Sequence, residues 1–399
     1  MTLTAADVTT PLARYARRFH AVAGPRHHVA SPLSAWLLLA LCAPAGRGKF
    51  SEILNATLGC DPADAADLAA ALLASPDPLV PAAAAVWHHE GPLPRPVARW
   101  LAGLPPQVRT GPLASQSDLD EWARRHTFGL IERFPPQDPS IFLLAATVLA
   151  TRVSWERPFE LAPATALGQS SPWSGRLNRV LRTPDGPGHE QFVAATAAAG
   201  DVAVHTARAR GGLLVTSVAA APGVPAGAVL AVAYDLAAKG ALGGAAGTVT
   251  RRSLFDLPLG QGPLWEVSEQ PTMIKGTADR EERCTAVLPA WSARSEYVMS
   301  DPELGFAAAA QALSPGDPWQ AKQAAMARYG RVGFEAAAVS AVGVALAMMV
   351  PHRGVVRAAE LRFGHPYAVV AVTADSRSPW YGLPVFSAWV ARPEDAQPD

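Results

Sequence analysis

The segment from Val332 to Val342 constrains the fold of this chain more than any other stretch. It reads Val-Gly-Phe-Glu followed by small residues, and it continues into an apolar run that ends at Pro351. Small residues that follow a glycine are suited to enter a packed sheet as an additional strand, because a close-packed interior has no room for large side chains. Similar alanine runs at Ala82–Ala85 and Ala307–Ala310 make an ordinary alanine-rich helix the alternative.

As a strand, this segment would present alternate residues to opposite faces of a sheet. One face would carry only uncharged residues, namely Phe334, Ala336, Ala338, Ser340, Val342, Val344 and Leu346. The other face would carry Glu335, which is the one charged residue between Gly333 and Pro351, together with Ala337 and further small residues. The pattern therefore allows one face to be buried while the other meets solvent.

Composition restricts the class of protein. Hydrophobic residues make up 49% of the 399 residues and charged residues 17%, which is typical of a folded chain with a large core. The formal net charge is zero and no polybasic run occurs, so we expect no binding to nucleic acid or to a membrane. The first apolar run, Ala35–Ala43, is too short to span a bilayer and lies late for a signal peptide. We therefore predict a cytoplasmic protein, with secretion as the alternative.

Residues that could carry catalysis or hold a metal are sparse. Cys42, Cys60 and Cys284 are far apart and odd in number, which indicates neither a zinc site nor a disulfide framework. His88–Glu90 are adjacent residues, whose side chains point apart on a strand or helix. Gly240–Gly247 lacks the Lys-Ser/Thr of a phosphate-binding loop, and neither G-x-S-x-G nor H-E-x-x-H is present. We expect no metal, no cofactor and no enzymatic activity.

The periodicity of apolar residues predicts helices first and strands later. Helical patterns cover Pro11–Val22, a buried helix opened by Ser31–Ser34, Lys49–Leu58, Asp61–Leu73 and Leu119–Phe134. Strand patterns cover Ser140–Trp155, Asp201–His205, Leu213–Val218, Ala228–Tyr234, Tyr367–Thr373 and Val385–Val390. Gln320–Tyr329 fits either a helix or a strand. This order favours an α+β fold, and the lack of repeats or linkers favours one large domain.

Several short motifs, taken in order, resemble the serpin family of protease inhibitors from about residue 12 to residue 393. They are Ser31-Pro32-Leu33-Ser34, Thr127–Ile131, Val153–Phe159, Leu288–Trp291, Leu304–Phe306, Phe363–Tyr367 and Phe386–Pro393. Each motif is weak alone, and their order and spacing make the match specific, although residues 165–280 match poorly. The resemblance, to a bacterial-type member, implies an α+β fold. It would have N-terminal helices around a large central mixed β-sheet, further antiparallel sheets, and flexible termini at 1–11 and 394–399.

The resemblance also implies a function, suicide inhibition of serine or cysteine endopeptidases without catalytic residues of its own. A protease cleaves an exposed reactive-centre loop, here about residues 333–362, and forms an acyl-enzyme. The part of the loop before the cut then inserts as a strand into the central sheet. By the resemblance, the hinge of this movement corresponds to Gly333, Phe334, Glu335, Ala336, Ala337 and Ala338. The expected partner is a target protease.

Two further regions are carried over from the resemblance. The shutter, where the sheet parts, corresponds to Ser31, Ser34, Thr147 and Gln323. Thr147 and Gln323 stand where the family usually has Asn and His, so the hydrogen bonds of the shutter are expected to differ. The breach, at the end of the sheet where insertion begins, corresponds to Trp155, for which a plain core tryptophan is the alternative.

The scissile bond is uncertain, because two counts disagree. Counting forward from the hinge glycine gives Ala347–Met348, and counting back from Phe363 gives Val355–Val356. The residues near the first site suit an elastase-, subtilisin- or chymotrypsin-like protease. Arg353 or Arg357 would suit a trypsin-like one.

Phe334 departs from the pattern of inhibitory members, which carry a small residue at this position. A phenyl ring must find volume in a packed core, and overpacking costs about 1–3 kcal/mol. We expect slower insertion rather than a block. A non-inhibitory serpin-fold protein, with a binding or substrate-like role, is the alternative. We expect a monomer, with loop-swapped oligomers as a further form.

Overall fold

The computed structural model describes residues 4–80, 82–138, 140–150, 154–243, 250–274, 279–333 and 352–398, which form three β-sheets with helices around them. The helices of these residues are α1 (Ala5–Ala23), α2 (Pro32–Cys42), α3 (Lys49–Leu58), α4 (Pro62–Ala74), α5 (Arg95–Ala102), α6 (Gln116–His126), α7 (Ala226–Leu242) and α8 (Phe306–Leu313). The first nine strands are β1 (His28–Ala30), β2 (Ala82–His88), β3 (Arg109–Pro112), β4 (Leu143–Leu149), β5 (Glu160–Pro163), β6 (Arg179–Arg182), β7 (His189–Thr196), β8 (Gly200–Ala209) and β9 (Leu213–Ala219). The others are β10 (Gly260–Gln261), β11 (Trp265–Ile274), β12 (Arg280–Leu288), β13 (Trp291–Val298), β14 (Trp319–Tyr329), β15 (His352–Arg362), β16 (Tyr367–Thr373) and β17 (Pro384–Val390).

The four predicted N-terminal helices are confirmed, and capping accounts for the starts of α1, α2 and α4. The Ser31 hydroxyl accepts a hydrogen bond from the Ser34 amide at the start of α2, and Pro32 occupies the first helical position. The Asp61 carboxylate likewise accepts from two amides at the start of α4. Helix α1 begins before the predicted Pro11, because Thr4 and a following aspartate form a capping box.

Three sheets organise the strands. The central sheet has the order β13-β14-β4-β2-β3, with β14 parallel to β4 and β2 parallel to β3. The second sheet has the order β1-β17-β16-β9-β8-β7 and is antiparallel throughout. The third has the order β10-β11-β15-β12-β6-β5. The predicted α+β fold, with a mixed central sheet and further sheets, is confirmed.

Helix α6 covers one face of the central sheet and is shorter than predicted. Trp122 packs edge-on against Trp87 of β2, with ring centroids 5.2 Å apart. The predicted helix Leu119–Phe134 ends at His126, because Phe128 and Gly129 have positive φ angles of 54° and 80°. Apolar residues after this turn, such as Phe134, still pack against α6 and the sheet, which is why the helical pattern continues past the helix.

The prediction of a strand at Ala228–Tyr234 is wrong, because these residues lie inside α7. Buried positions of α7 recur at helical spacing, as in Val229, Ala233 and Ala237. Seven valine- and alanine-rich residues are too few to separate a buried strand from a buried helix by periodicity. The helix packs on the outer face of the second sheet, against β9 and β16.

The strands β4 and β14 of the central sheet correct the predicted bounds of one segment and decide the type of another. Within Ser140–Trp155, the strand β4 covers only Leu143–Leu149, and it is buried on both faces as predicted. Gln320–Tyr329, which fitted a helix or a strand, is strand in β14, because it pairs with β13 on one side and with β4 on the other. No helix in the described ranges is long and apolar enough to cross a membrane.

Candidate functional site

The parallel pair β14 and β4 forms a seam in the middle of the central sheet. Its register runs from Trp319 opposite Leu143 to Ala325 opposite Leu149, and β14 continues to Tyr329. Both strands finish at the same end, which we call the upper end of the sheet. Five residues of the seam are buried alanines, namely Ala145, Ala146, Ala321, Ala324 and Ala325. Beyond β14, the chain passes at this upper end into the segment that follows Gly333.

A clasp at the upper end holds the last described residues before that segment. We use this name for the segment Ser154–Phe159 where it contacts Gly330–Gly333. The Trp155 amide donates to Val332 O at 3.0 Å, and its indole Nε1–H donates to Gly330 O at 2.9 Å. The Phe159 amide donates to Arg331 O at 2.9 Å, and Ser154 forms an antiparallel bridge with Gly333. Trp155, the predicted breach residue, is thus fully buried at the upper end of the sheet, against the residues that precede the predicted hinge.

Aromatic rings fill the space under the clasp. The Trp155 ring lies 5.0 Å from that of Tyr329 and 6.1 Å from that of Phe159, measured between centroids. Trp291 stacks on Tyr329 at 5.8 Å with an interplanar angle of 15°. Because these rings come from the clasp, β13 and β14, the upper end is held by packing as well as by hydrogen bonds.

The four predicted shutter residues meet beneath the seam, and all are buried. The Gln323 carboxamide accepts from the Ser31 amide at 3.1 Å and donates to Ser31 O at 2.8 Å. It also donates to Ser34 Oγ at 3.4 Å, and Ser31 Oγ donates to Val385 O at 2.7 Å. Thr147 is the register partner of Gln323 across the seam. This network ties α2 and β17 to the strand β14.

Thr147 is the unsatisfied member of this group. Its hydroxyl is buried and has no hydrogen-bond partner among the described residues. An unsatisfied buried polar group costs about 1–3 kcal/mol. The closed seam therefore contains a polar atom whose bonding capacity is unused, at the level where Gln323 and Thr147 face each other.

Only some of the residues predicted to form the loop are described by the structure. Gly333 itself has a φ of 152° and lies in the clasp, whereas Phe334–Ala338 and Ala347–Met348 fall outside the described residues. Val355–Val356 lie inside β15, hydrogen-bonded to β11 on one side and to β12 on the other. A bond held between two strands is not presented to a protease, so this position corrects the count back from Phe363.

The two arginines that would suit a trypsin-like protease also belong to β15. Arg357 is held in place, with Nε donating to Glu269 Oε2 at 2.8 Å and Nη1 donating to Leu254 O at 2.8 Å. Arg353 is exposed, but it also lies in β15, where it pairs with Met273 of β11. Neither arginine therefore lies in an exposed loop.

Two histidines near the clasp were missed by sequence reasoning. His189 of β7 and His205 of β8 are hydrogen-bonded to each other, with their ring nitrogens 3.0 Å apart. They lie in the part of the chain where family motifs are weakest, and sixteen residues separate them. Side chains alternate between the two faces along each strand of a hairpin. This alternation in β7 and β8 was the one signal that could have placed the two histidines on a common face.

Metal ligands and reactive thiols were two kinds of group considered in the sequence. Within the described ranges, no three His, Cys, Asp or Glu side chains lie close enough to hold a metal ion. Burial raises the pKa of the Cys42 thiol to about 12 and the pKa values of Cys60 and Cys284 to about 11. These thiols are therefore protonated at neutral pH and are poor nucleophiles.

Comparison with known proteins identifies solved structures of the same architecture. No family model matches the sequence, and no curated protein matches it. Human thyroxine-binding globulin complexed with thyroxine matches at 12% identity and a TM-score of 0.64, covering 98% of this chain and 100% of that chain. The thermophilic serpin Tengpin in its native state matches at 13% identity and a TM-score of 0.64, over 96% of this chain and 93% of that chain. The Manduca sexta serine protease inhibitor serpin-12 matches at 14% identity and a TM-score of 0.60, over 98% and 99%. At these identities the likeness is one of fold alone.

Proposed function

We propose that this chain, which has the serpin fold, is a suicide inhibitor of serine or cysteine endopeptidases. The observation that carries the proposal is the parallel seam between β14 and β4, with the segment after Gly333 attached to the upper end of β14. A segment that turns back from β14 runs antiparallel to β14, and therefore antiparallel to β4 as well. Its insertion would replace one parallel pair by two antiparallel pairs, which are slightly more stable per residue.

The protease supplies the chemistry of the trap. Its serine or cysteine nucleophile attacks a carbonyl of the loop, an acyl bond forms to the enzyme, and the peptide bond to the following residue breaks. Cleavage disconnects the segment from β15, so that its new end is free to move. The segment then inserts and carries the acylated protease with it, so the inhibitor contributes stored conformational energy and no catalytic group. We propose Ala347–Met348 as the scissile bond and an elastase-, subtilisin- or chymotrypsin-like protease as the target.

The sequence of the inserting segment supports this role. In an inserted strand, Ala336 and Ala338 would face the same side as Phe334, while Ala337 would face the opposite side with Glu335. The uncharged side is suited to burial, because an unpaired charge in a protein interior is strongly penalised. A charge introduced on that side should therefore stop insertion without affecting cleavage.

The proposal is tested by mixing the protein with elastase, subtilisin, chymotrypsin and trypsin, followed by denaturing gels and mass spectrometry of the cut chain. We expect a covalent complex that survives detergent, with the new end near Ala347. The Ala338→Glu variant should be cleaved without forming the complex, and the matched Ala337→Glu variant should still form it. Clean cleavage without a complex for the unmodified protein, whichever protease is used, would refute inhibition.

A non-inhibitory role is the second candidate, and Phe334 is the observation that favours it. This fold also occurs in thyroxine-binding globulin, which has been crystallised with thyroxine. A protein that cannot insert its cleaved loop gains no stability from cleavage. An unchanged melting temperature after the loop is cut would select this alternative, whereas a large rise would support insertion.

A further inference from the structure

A groove lies between the helices α4 and α5, and we call it the α4–α5 groove. Its volume is about 540 Å³, which lies within the range of small-molecule sites in proteins. The end of α2, the turn that follows α2, and Ala312 of α8 complete its lining. The two helices contribute the residues Ala66, Asp67 and Ala70 from α4 and Arg95, Pro96, Arg99 and Trp100 from α5.

The floor of the groove is apolar and held in place. The Trp100 indole N–H donates to Leu41 O at 2.8 Å, which ties α5 to the end of α2, and both residues are buried. On the opposite wall, Ala66 and Ala70 carry only methyl groups, so the side chains of α4 do not fill the space in front of α5. The groove is therefore suited to an apolar group that lies along its floor.

Positive charge dominates the lining. The exposed side chains of Arg47, Arg95 and Arg99 line the groove, and Asp67 is the one carboxylate there. None of these three arginines forms an ion pair with a carboxylate in the part of the chain that the structure describes. A guanidinium offers five N–H donors in a planar fork that matches a carboxylate. The lining thus offers charged donors whose acceptor is to be supplied from outside.

Arg47 is already oriented by the backbone around it. Its Nη1 atom donates to Pro44 O and to Gly46 O, each at 3.0 Å, in the turn after α2. These two bonds use both N–H groups of Nη1, and the N–H groups of Nε and Nη2 have no acceptor among the described residues. A donor that is fixed before binding loses less conformational freedom when a ligand arrives.

The two arginines of α5 stand where positive charge disfavours the helix. Arg95 is the first residue of α5, at the end where the helix dipole is itself positive. Arg99 follows four residues later, on the same face, so the two like charges repel each other. Helix α5 contains no acidic residue that would offset either effect. An anion bound in the groove offsets both.

We propose that the α4–α5 groove is a binding site for an organic anion in which one carboxylate is joined to an apolar body. The carboxylate bonds to the guanidinium groups of Arg47, Arg95 and Arg99. The apolar body lies on Trp100 and Leu41, and extends toward Leu104 and Pro105 beyond the end of α5. Between Arg95 and Ala102 the helix rises about 10 Å, which suits a body of medium length such as an alkyl chain. The site uses no residue of the seam, the clasp or the loop, so it stands apart from the proposed inhibition.

The site is tested by isothermal titration calorimetry of the full chain with three probes at submillimolar concentration. Decanoate carries both the charge and the apolar body, decan-1-ol has the same length without the charge, and acetate has the charge without the body. We expect saturable binding of one decanoate per chain. Decan-1-ol and acetate should bind at least about tenfold more weakly, because each lacks one half of the recognised chemistry.

Substitutions in the lining change the charge without touching the core. Arg95→Gln and Arg99→Gln should each weaken decanoate binding about five- to tenfold, since each removes a charged hydrogen-bond donor at an exposed site. Asp67→Asn should strengthen it, because this change removes the one carboxylate that repels the ligand. Arg328→Gln is the matched control, because Arg328 is an exposed arginine of β14 outside the groove, and this variant should bind decanoate as the unmodified chain does.

A further variant tests the apolar half of the site. Ala70→Phe places a ring in the open space on the α4 wall, so it should abolish decanoate binding while the arginines remain. An unchanged melting temperature without ligand would show that this variant is folded.

The outcomes decide the proposal without any reference to protease trapping. Absence of decanoate binding, or equal affinities in Arg95→Gln, Arg99→Gln and Arg328→Gln, would overturn the site. Equal binding of decan-1-ol would refute recognition of an anion, and equal binding of acetate would refute recognition of the apolar body.

Discussion

Gln323 and Ser31 are joined by two hydrogen bonds, from the Ser31 amide to Gln323 Oε1 at 3.1 Å and from Gln323 Nε2 to Ser31 O at 2.8 Å. Both residues are fully buried, and no water can replace a lost partner without entering the core. A single side chain on β14 thus bonds to both backbone groups of the residue that caps α2, and Ser31 O also accepts from the Ala35 amide at 3.2 Å. The pair links one strand of the seam to the helix beneath it.

Replacing this side chain should weaken the native state. Gln323→Ala leaves the buried amide of Ser31 without its partner, while Ser31 O keeps the bond from the Ala35 amide, so the free energy of unfolding should fall by about 1–3 kcal/mol. Arg328→Ala, an exposed change on the same strand, is the control and should have little effect. Urea denaturation followed by tryptophan fluorescence measures both. Equal midpoints for the two variants would show that the bonds contribute nothing.

Replacing Thr147 is expected to change the stability of the native state in the opposite direction. Thr147→Val removes a buried hydroxyl that has no partner in the described part of the chain, so it should stabilise the closed sheet by about 1 kcal/mol. Thr206→Val is the matched control, because the Thr206 hydroxyl is bonded to that of Thr216 at 3.0 Å and its removal should destabilise. Thermal melting of the two variants compares them. A loss of stability in Thr147→Val would mean that its hydroxyl is satisfied in solution.

Local signals in the sequence predicted the parts of the fold that depend on local interactions. Ser31 and Asp61 cap their helices, so the starts of α2 and α4 could be read from residue type and spacing. In α7 the same approach failed, because its valines suit a strand as well as a buried helix. Burial pattern alone does not distinguish the two over a short window.

Long-range relationships could be predicted only through the family resemblance. The pairing of Gln323 with Thr147 joins two distant strands, and no periodicity in either strand specifies its partner. The resemblance grouped these two residues in the shutter and assigned Trp155 to the breach, without specifying the register. It did not supply the His189–His205 pair, because that pair lies where the motifs are weakest. Assignment to a bacterial-type member, the hinge beyond Gly333 and the scissile bond stay predictions.

The proposed inhibition makes a prediction for Phe334, the bulky residue of the predicted hinge. Phe334→Thr relieves an overpacking that is expected to cost about 1–3 kcal/mol, and relief of 1.4 kcal/mol corresponds to about a tenfold faster step. Faster insertion should trap more protease before the acyl bond is hydrolysed, so fewer inhibitor molecules should be consumed for each complex. The stoichiometry of inhibition measures this directly. A ratio that stays the same would show that Phe334 does not limit insertion.

Acid should lower the stability of the folded chain through a second buried histidine pair. Tyr234, Ser387, His20 and His28 form a hydrogen-bonded chain that ends at Arg26 O, with 2.8 Å between His20 Nδ1 and His28 Nε2. Burial lowers the pKa of His20 well below its usual range, with neighbouring His28 adding to the effect. Burial also lowers the pKa of His28, against the opposing effect of its hydrogen bond to Arg26 O.

The sign of the pH effect follows from these depressed pKa values. The unfolded chain binds protons at these histidines below about pH 6.5, whereas the folded chain does not, so stability is retained above that pH and lost as the pH falls below it. Each histidine should remove about 1.4 kcal/mol per pH unit until its folded pKa is reached. Unfolding free energies at about pH 7.5, 6.5 and 5.5 measure the slope, which should be smaller in His28→Gln because one titrating group is gone. A slope that is the same in this variant would mean that acid acts on the fold elsewhere.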